Sequence, residues 1–182
     1  MSNGFLLIPI FFPVICGALF FALNPKTKKA RNTFVLTSVL INTAIMFVTI
    51  FLTNDILFTL FDFSGDLTIA LNLDGLGKIF AGLVSVLWPF TALYALEYMK
   101  KEEHIRMFYT FFLVSYGVTL GIACSGNMLT MYFFYELLTL VTLPLVIQPM
   151  TKASNRAGRA YLIYSIGGAA FAFIGLIFIL SY

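Results

Sequence analysis

A single carboxylate stands in the middle of a stretch that carries no other charge. Residues 128–147 read MLTMYFFYELLTLVTLPLVI, with Glu136 near the centre. On a helix Glu136 lies about 12 Å along the axis from Met128. Tyr132, Thr139, Leu140 and Leu143 share its face. A hydroxyl on either side of a carboxyl suits a small polar pocket. Desolvation disfavours the ionised form of any carboxyl, and a nearby cation opposes that preference, so such a group can exchange protons. Ionisable residues inside a bilayer usually face a protein interior and mark a pathway. A structural carboxyl, protonated and hydrogen-bonded between helices, is the competing reading.

The other polar groups point to less. Lys152, Arg156 and Arg159 fall at i, i+4 and i+7, on one face of a helix leading into the last apolar run. Most simply they are cytoplasmic anchors; Arg159, nearest the membrane, could also set the potential at a proton entrance. Lys78 follows Asp74 by one helical turn, which suits a local pair with the lysine stem reaching to the interface. Glu97 and the cluster KKEEH (100–104) lie at a helix end, where charge is cheap. His104, the sole histidine, has no ligand partners at useful spacing, so no metal site is expected. Cys16 and Cys124 lie in apolar runs and read as small buried hydrophobes rather than as a disulfide framework. The glycines of SIGGAAFAFIG follow no strand and are not a nucleotide fingerprint. Neither a redox cofactor nor a nucleotide is expected, and no nucleophile–base set marks the chain as a catalyst in its own right.

The elements that must position Glu136 follow from composition. Of 182 residues, 60% are hydrophobic and 10% charged, and mean hydropathy is +0.97. Soluble domains carry about 25% charged residues, so this is an all-α integral membrane protein. Hydrocarbon about 30 Å thick needs roughly 20 apolar residues per helix. Six runs qualify: 4–23, 32–53, 76–98, 107–124, 128–147 and 160–181, read together as one membrane domain, 1–182. The first lacks a basic leader and is too long for a signal-peptide core, so a retained helix is expected, bent by Pro9 and Pro13. All lysines and arginines except Lys78 fall in the first, third and fifth connections. The second connection instead carries Asp55, Asp62, Asp66 and Asp74. Odd connections are therefore cytoplasmic and both termini extracytoplasmic.

That second connection, NDILFTLFDFSGDLTIALNLDG, is the only long one. ILFTLFDF and LTIALNL could pair across SGD as an extracytoplasmic hairpin, with an irregular loop as the alternative. Gly117 with Gly121, and Gly168 with Ala172, are small-xxx-small spacings that suggest packing faces on the fourth and sixth helices. Ser115, Thr119, Thr142 and Ser165 could hydrogen-bond across helices or line a wet path.

Taken in order, NLDGLGKIFAGLVSV, ALYALEYMK, RMFYTFFLVSYGVTLGIACSGNMLTMYFFYELLTLVTLPLVI and KASNRAGRAYLIYSIGGAAFAFIGLI resemble the start of a known family. It comprises the antiporter-like subunits of respiratory NADH:quinone oxidoreductase, multi-subunit Na⁺/H⁺ antiporters and membrane-bound hydrogenases. The likeness is most specific in NMLTMYFFYELL, where members place a key glutamate on the fifth helix; Glu136 falls there. The resemblance implies a protonatable relay in an ion channel. It also implies about fourteen helices in two inverted repeats, and a central lysine on the seventh helix that partners the glutamate. No run here holds a mid-membrane lysine, so an N-terminal piece or half of a split gene is expected, completed by another chain.

Three functions remain open. The first is part of a proton- or cation-translocating subunit, with Glu136 as relay and Tyr132, Thr139 and Arg159 along its path. Its partners would be other membrane subunits, one bearing the lysine helices, and its place the prokaryotic cytoplasmic membrane. It could serve an ion-translocating oxidoreductase of the NADH dehydrogenase or hydrogenase type. The others are a non-conducting membrane scaffold that serves assembly, and a small oligomeric cation permease.

Overall fold

The computed structural model describes residues 3–52, 57–64, 67–101, 104–148 and 150–181. Asp55, Asp66, Glu102 and Glu103 lie outside them. A 3₁₀ turn (Asn3–Leu6) leads into helix α1 (Leu7–Leu23), followed by α2 (Lys28–Leu52). Strands β1 (Phe58–Ser64) and β2 (Leu67–Leu71) come next, then α3 (Gly75–Tyr98) with a 3₁₀ turn (Met99–Lys101), α4 (Ile105–Ala123), α5 (Met128–Val146) and α6 (Lys152–Ser181). Among the described residues six helices are long and apolar enough to cross a membrane, as the apolar runs predicted.

The helices outrun those apolar runs at their polar ends. α2 begins at Lys28, where the Thr27 hydroxyl accepts from the Ala30 N–H at 3.3 Å. α6 begins at Lys152 after a reciprocal cap: Ser154 N–H donates to Thr151 Oγ1 at 3.1 Å, and Thr151 N–H to Ser154 Oγ at 2.9 Å. Each cap satisfies backbone donors that lack an intrahelical partner. Hydropathy therefore marks the hydrocarbon, whereas capping marks the helix. At the other end of α1, Asn24 adopts φ 42° and returns its N–H to Phe20 O at 3.1 Å, an αL cap followed at once by Pro25. Pro9 lies in the first turn of α1, where the N–H has no intrahelical acceptor, so only Pro13 removes an interior hydrogen bond.

The second connection forms the expected hairpin. β1 and β2 are antiparallel, with Phe58 opposite Leu71, Thr59 opposite Ala70 and Asp62 opposite Thr68. Ala70 and Leu71 are fully buried, while Phe61 and Phe63 are exposed.

α4 is the central helix. It packs along α1 on one side and α5 on the other, α2 and α3 pack together beside them, and α6 lies against α5. Of its most apolar window, 56% is buried, against 11% for α6. Small residues allow the approach. A Cβ at Gly117 would collide with the Ile10 carbonyl of α1 and meet Pro13 Cγ at 3.0 Å. One at Gly121 would strike the Phe134 ring of α5, and one at Gly17 would stand 2.9 Å from the Thr110 carbonyl. The packing face expected on α4 is thus present. The one expected on α6 is not: beside Gly168 there is nothing within 4 Å, because α6 touches its neighbour through other positions. Cys16 and Cys124 are free and buried, as read.

At the far end, the Arg106 guanidinium donates to the Phe21 carbonyl, through Nε at 2.9 Å and also through Nη2, and sits 3.9 Å over the Phe21 ring. A cation there meets the negative end of α1 and pins the start of α4 beside it.

Gly117→Ala should destabilise the detergent-solubilised protein by about 1–3 kcal/mol, the usual range for overpacking. Gly168→Ala should leave the melting temperature unchanged. Thermal unfolding of the two variants against the parent checks both.

Candidate functional site

The site is built from its hydrogen-bonded end. Asn127 caps α5: its Oδ1 accepts from the Thr130 N–H at 2.8 Å and from the Thr130 hydroxyl at 2.7 Å. Its Nδ2 donates across to the Thr68 carbonyl of β2 at 2.7 Å. The Thr130 hydroxyl in turn accepts from the Ala70 N–H at 2.9 Å, and the Gly126 N–H donates to Ala70 O at 2.8 Å. This seam fixes where α5 starts, and Glu136 follows two and a half turns later, about 13 Å from the cap.

Glu136 is half-buried. Its Oε1 is inaccessible and has no hydrogen-bond partner among the described residues. Tyr132, one turn before it, interacts with the carboxyl both electrostatically and as a side-chain hydrogen-bonding neighbour, so it is Oε1 alone that stands without a partner. The Tyr132 hydroxyl donates to the Ala169 carbonyl of α6 at 3.4 Å, and its ring stands 5.6 Å from that of Phe173. Tyr132 also lines an apolar cleft, with Ile122 of α4, Met128 and Tyr135 of α5, and Ala172 and Leu176 of α6.

The other candidates have partners of their own. Thr139 is buried, and its hydroxyl donates to the Tyr135 carbonyl of its own helix at 3.3 Å. Back-bonding of this kind satisfies the hydroxyl proton locally. Ser115 and Thr119 likewise donate to Phe112 and Ser115 carbonyls within α4. Thr142 does reach across: its hydroxyl lies 2.8 Å from that of Tyr161 on α6 and donates to the Leu138 carbonyl at 2.8 Å. One hydroxyl proton cannot serve both, so Tyr161 donates to Thr142 when Thr142 donates within α5. The spacing of Tyr161 from Thr142 in the chain gave no sign of this pair.

The contacts Tyr132–Ala169 and Thr142–Tyr161 bracket Glu136, which therefore stands opposite the part of α6 between residues 161 and 169. Arg159 lies beyond that part, about 10 Å further along α6 than the level of Glu136, and is exposed. Lys152 and Arg156 are exposed on the preceding turns. At the opposite end of α3, Asp74 is an N-cap whose carboxylate accepts from the Gly77 N–H at 2.6 Å.

Asn127→Ala removes a cap and a cross-strand bond together. A loss of about 1–2 kcal/mol is expected, measured by thermal unfolding. Amide hydrogen exchange should quicken at residues 68–71 and at the start of α5.

No protein-family model matches the chain. Over 115 residues, 62% of its length, it is 35% identical to the A/B component of a probable K⁺/H⁺ antiporter of Rhizobium meliloti strain 1021, of which the match covers 11%. Over 67 residues, 37% of its length, it is 39% identical to the A1 component of the Na⁺/H⁺ antiporter of Staphylococcus aureus strains JH9 and Newman, with 8% of that protein covered. The chain thus spans about a tenth of the length of these curated relatives. With six membrane-length helices and this similarity, the chain is an integral membrane protein that resembles antiporter-like membrane subunits, here the A-type subunits of cation/proton antiporters.

Proposed function

We propose that the chain forms part of a proton- or monovalent-cation-translocating membrane subunit in which Glu136 relays protons within the membrane. The observation that carries this reading is the Glu136 carboxyl itself. A structural carboxyl would have its oxygens bonded to neighbouring helices, because an unsatisfied polar atom in hydrocarbon is costly. Glu136 Oε1 is buried without such a partner among the described residues. It sits where the well-packed helices meet the sparsely covered α6. Such a position supports a group whose charge changes in use.

In this reading Tyr132 lies on the hairpin side of the relay and Thr139 and Thr142 on the other. Arg159 sets the potential where protons enter or leave at the basic ends of the helices. Those ends face the cytoplasm of a prokaryotic cell, and both termini face out. The mechanism is electrostatic: a cation brought near Glu136 favours the carboxylate and releases its proton, and withdrawing the cation favours uptake. No lysine or arginine of the described spans is placed beside Glu136. The cation therefore comes from a lysine-bearing helix elsewhere in the assembly.

The names of the relatives favour exchange of protons against Na⁺ or K⁺, driven by an existing gradient. Membership of a respiratory or hydrogenase complex is the version that redox subunits among its companions would support. A non-conducting scaffold is the reading that survives if Glu136 proves dispensable.

Glu136→Gln should assemble normally and lower proton-coupled cation flux in vesicles of the complete assembly by about tenfold or more. Wild-type flux in that variant would sink the relay. Purification of the tagged chain in mild detergent should bring with it membrane subunits that include a lysine-bearing helix; recovery of the chain alone would remove the basis for a multi-subunit assembly.

A further inference from the structure

A second polar cluster lies away from Glu136, among α2, α3 and α4. Asn42 on α2 and Ser85 on α3 are both fully inaccessible. Neither the Asn42 amide, through Oδ1 or Nδ2, nor the Ser85 hydroxyl meets a partner among the described residues, and the same holds for the Trp88 Nε1–H. The helices that carry them are tied together. Thr43, next to Asn42, donates to the Ser85 carbonyl at 3.1 Å, and the Thr43 and Tyr116 hydroxyls are 3.1 Å apart. Since Thr43 has one proton to give, Tyr116 of α4 is the donor to Thr43. The Trp88 ring stacks on Tyr116 at 4.9 Å and 10°. Ser85 and Trp88 are one turn apart on the same face of α3.

Burying an amide and a hydroxyl with every hydrogen-bonding site unmet costs several kcal/mol in total, more than close packing of one side chain returns. The chemistry of the unmet groups identifies what satisfies them. Asn42 offers both donors and an acceptor, Ser85 one donor and acceptors, and Trp88 a donor only. A cation would face the Nδ2 and Nε1 donors, and an anion would face the Oδ1 acceptor with no positive charge to balance it. Water both donates and accepts, and needs two to four such partners. We propose that one or a few water molecules bind at the junction of α2, α3 and α4, bridging Asn42, Ser85 and Trp88, and so lock α3 to α2 within the membrane.

Trp88 is the only tryptophan in the chain, so it reports on the site directly. The test uses the full chain in lipid nanodiscs, with ultraviolet resonance Raman of the indole N–H and fluorescence in H₂O and D₂O. The parent protein should show a hydrogen-bonded N–H that exchanges with D₂O, and a red-shifted emission. Asn42→Leu, close to isosteric, should lose the hydrogen-bonded band and shift emission to the blue; Ser85→Ala should do so in part, and serves where Asn42→Leu fails to fold. A parent N–H already free of hydrogen bonding overturns the proposal. So does a bonded N–H that neither variant alters, which would mean that Trp88 draws on another partner. A high-resolution structure with the Asn42 amide turned onto a protein carbonyl would overturn it as well.

Discussion

The arrangement depends on one hydrogen-bonded seam, between strand β2 and the turn that joins α4 to α5. Backbone N–H and C=O groups at the edge of a two-stranded sheet need partners, and at Ala70 and Leu71, both fully buried, water cannot reach to supply them. Here the turn supplies them. Asn72 N–H donates to Cys124 O at 2.9 Å, Leu71 pairs with Ser125, Gly126 N–H donates to Ala70 O, and Thr130 takes up the Ala70 N–H. Gly126 suits this approach, since a Cβ there would stand 3.1 Å from the Ala70 carbonyl and 3.0 Å from Leu57. The seam lies just ahead of Asp74, which caps α3, and includes Asn127, which caps α5. Two helices are thereby set to one level. The depth of Glu136 is then a matter of counting turns from Asn127.

From that level inward, packing follows side-chain size. Gly17, Gly117 and Gly121 bring α1, α4 and α5 close enough for backbone to meet side chain directly. α6 makes such a contact only at its start, where a Cβ at Gly158 would strike Ile147; beyond it there is none at Gly167, Gly168 or Gly175, and α6 leans on α5 through Tyr132, Thr142 and Tyr161. Hydroxyl contacts hold that length less firmly than interlocking glycines, because each net hydrogen bond contributes only about 1 kcal/mol. The boundary between firm and loose packing runs along α5. Glu136 sits on it.

How much of this was legible in the sequence differs by element. The six helices were, because twenty apolar residues in a row leave few alternatives. The hairpin was legible only in part: LTIALNL alternates and SGD breaks it, but an irregular loop fitted the same residues. The tight face at Gly117 and Gly121 was, but the same spacing at Gly168 and Ala172 pointed to a contact that does not form: a small residue permits close approach without supplying a neighbour. The helix ends were missed by four residues at Lys28 and eight at Lys152, since hydropathy does not register a cap. Thr139 read as a second hydroxyl beside the acid; that its proton goes to its own Tyr135 carbonyl is a matter of local geometry that spacing does not show. The Thr142–Tyr161 pair and the buried Asn42 carry no sequence signal, as both depend on which helix faces which.

The two polar clusters in the membrane core differ in a way that separates structure from switching. Asn42, Ser85, Trp88 and Thr43 carry no titratable group, and Asn42 and Ser85 are enclosed on all sides. Their hydrogen-bonding can be satisfied once and left alone, which rigidifies the helices that share it. Glu136 is the reverse: a group with two charge states, half-exposed, with one oxygen inaccessible and unbonded. In the proposed relay that difference matters: a low dielectric strengthens the effect of any charge placed near the carboxyl, and the side that α6 leaves sparsely covered is the side from which the assembly would bring one. A group enclosed like Asn42 offers no such approach.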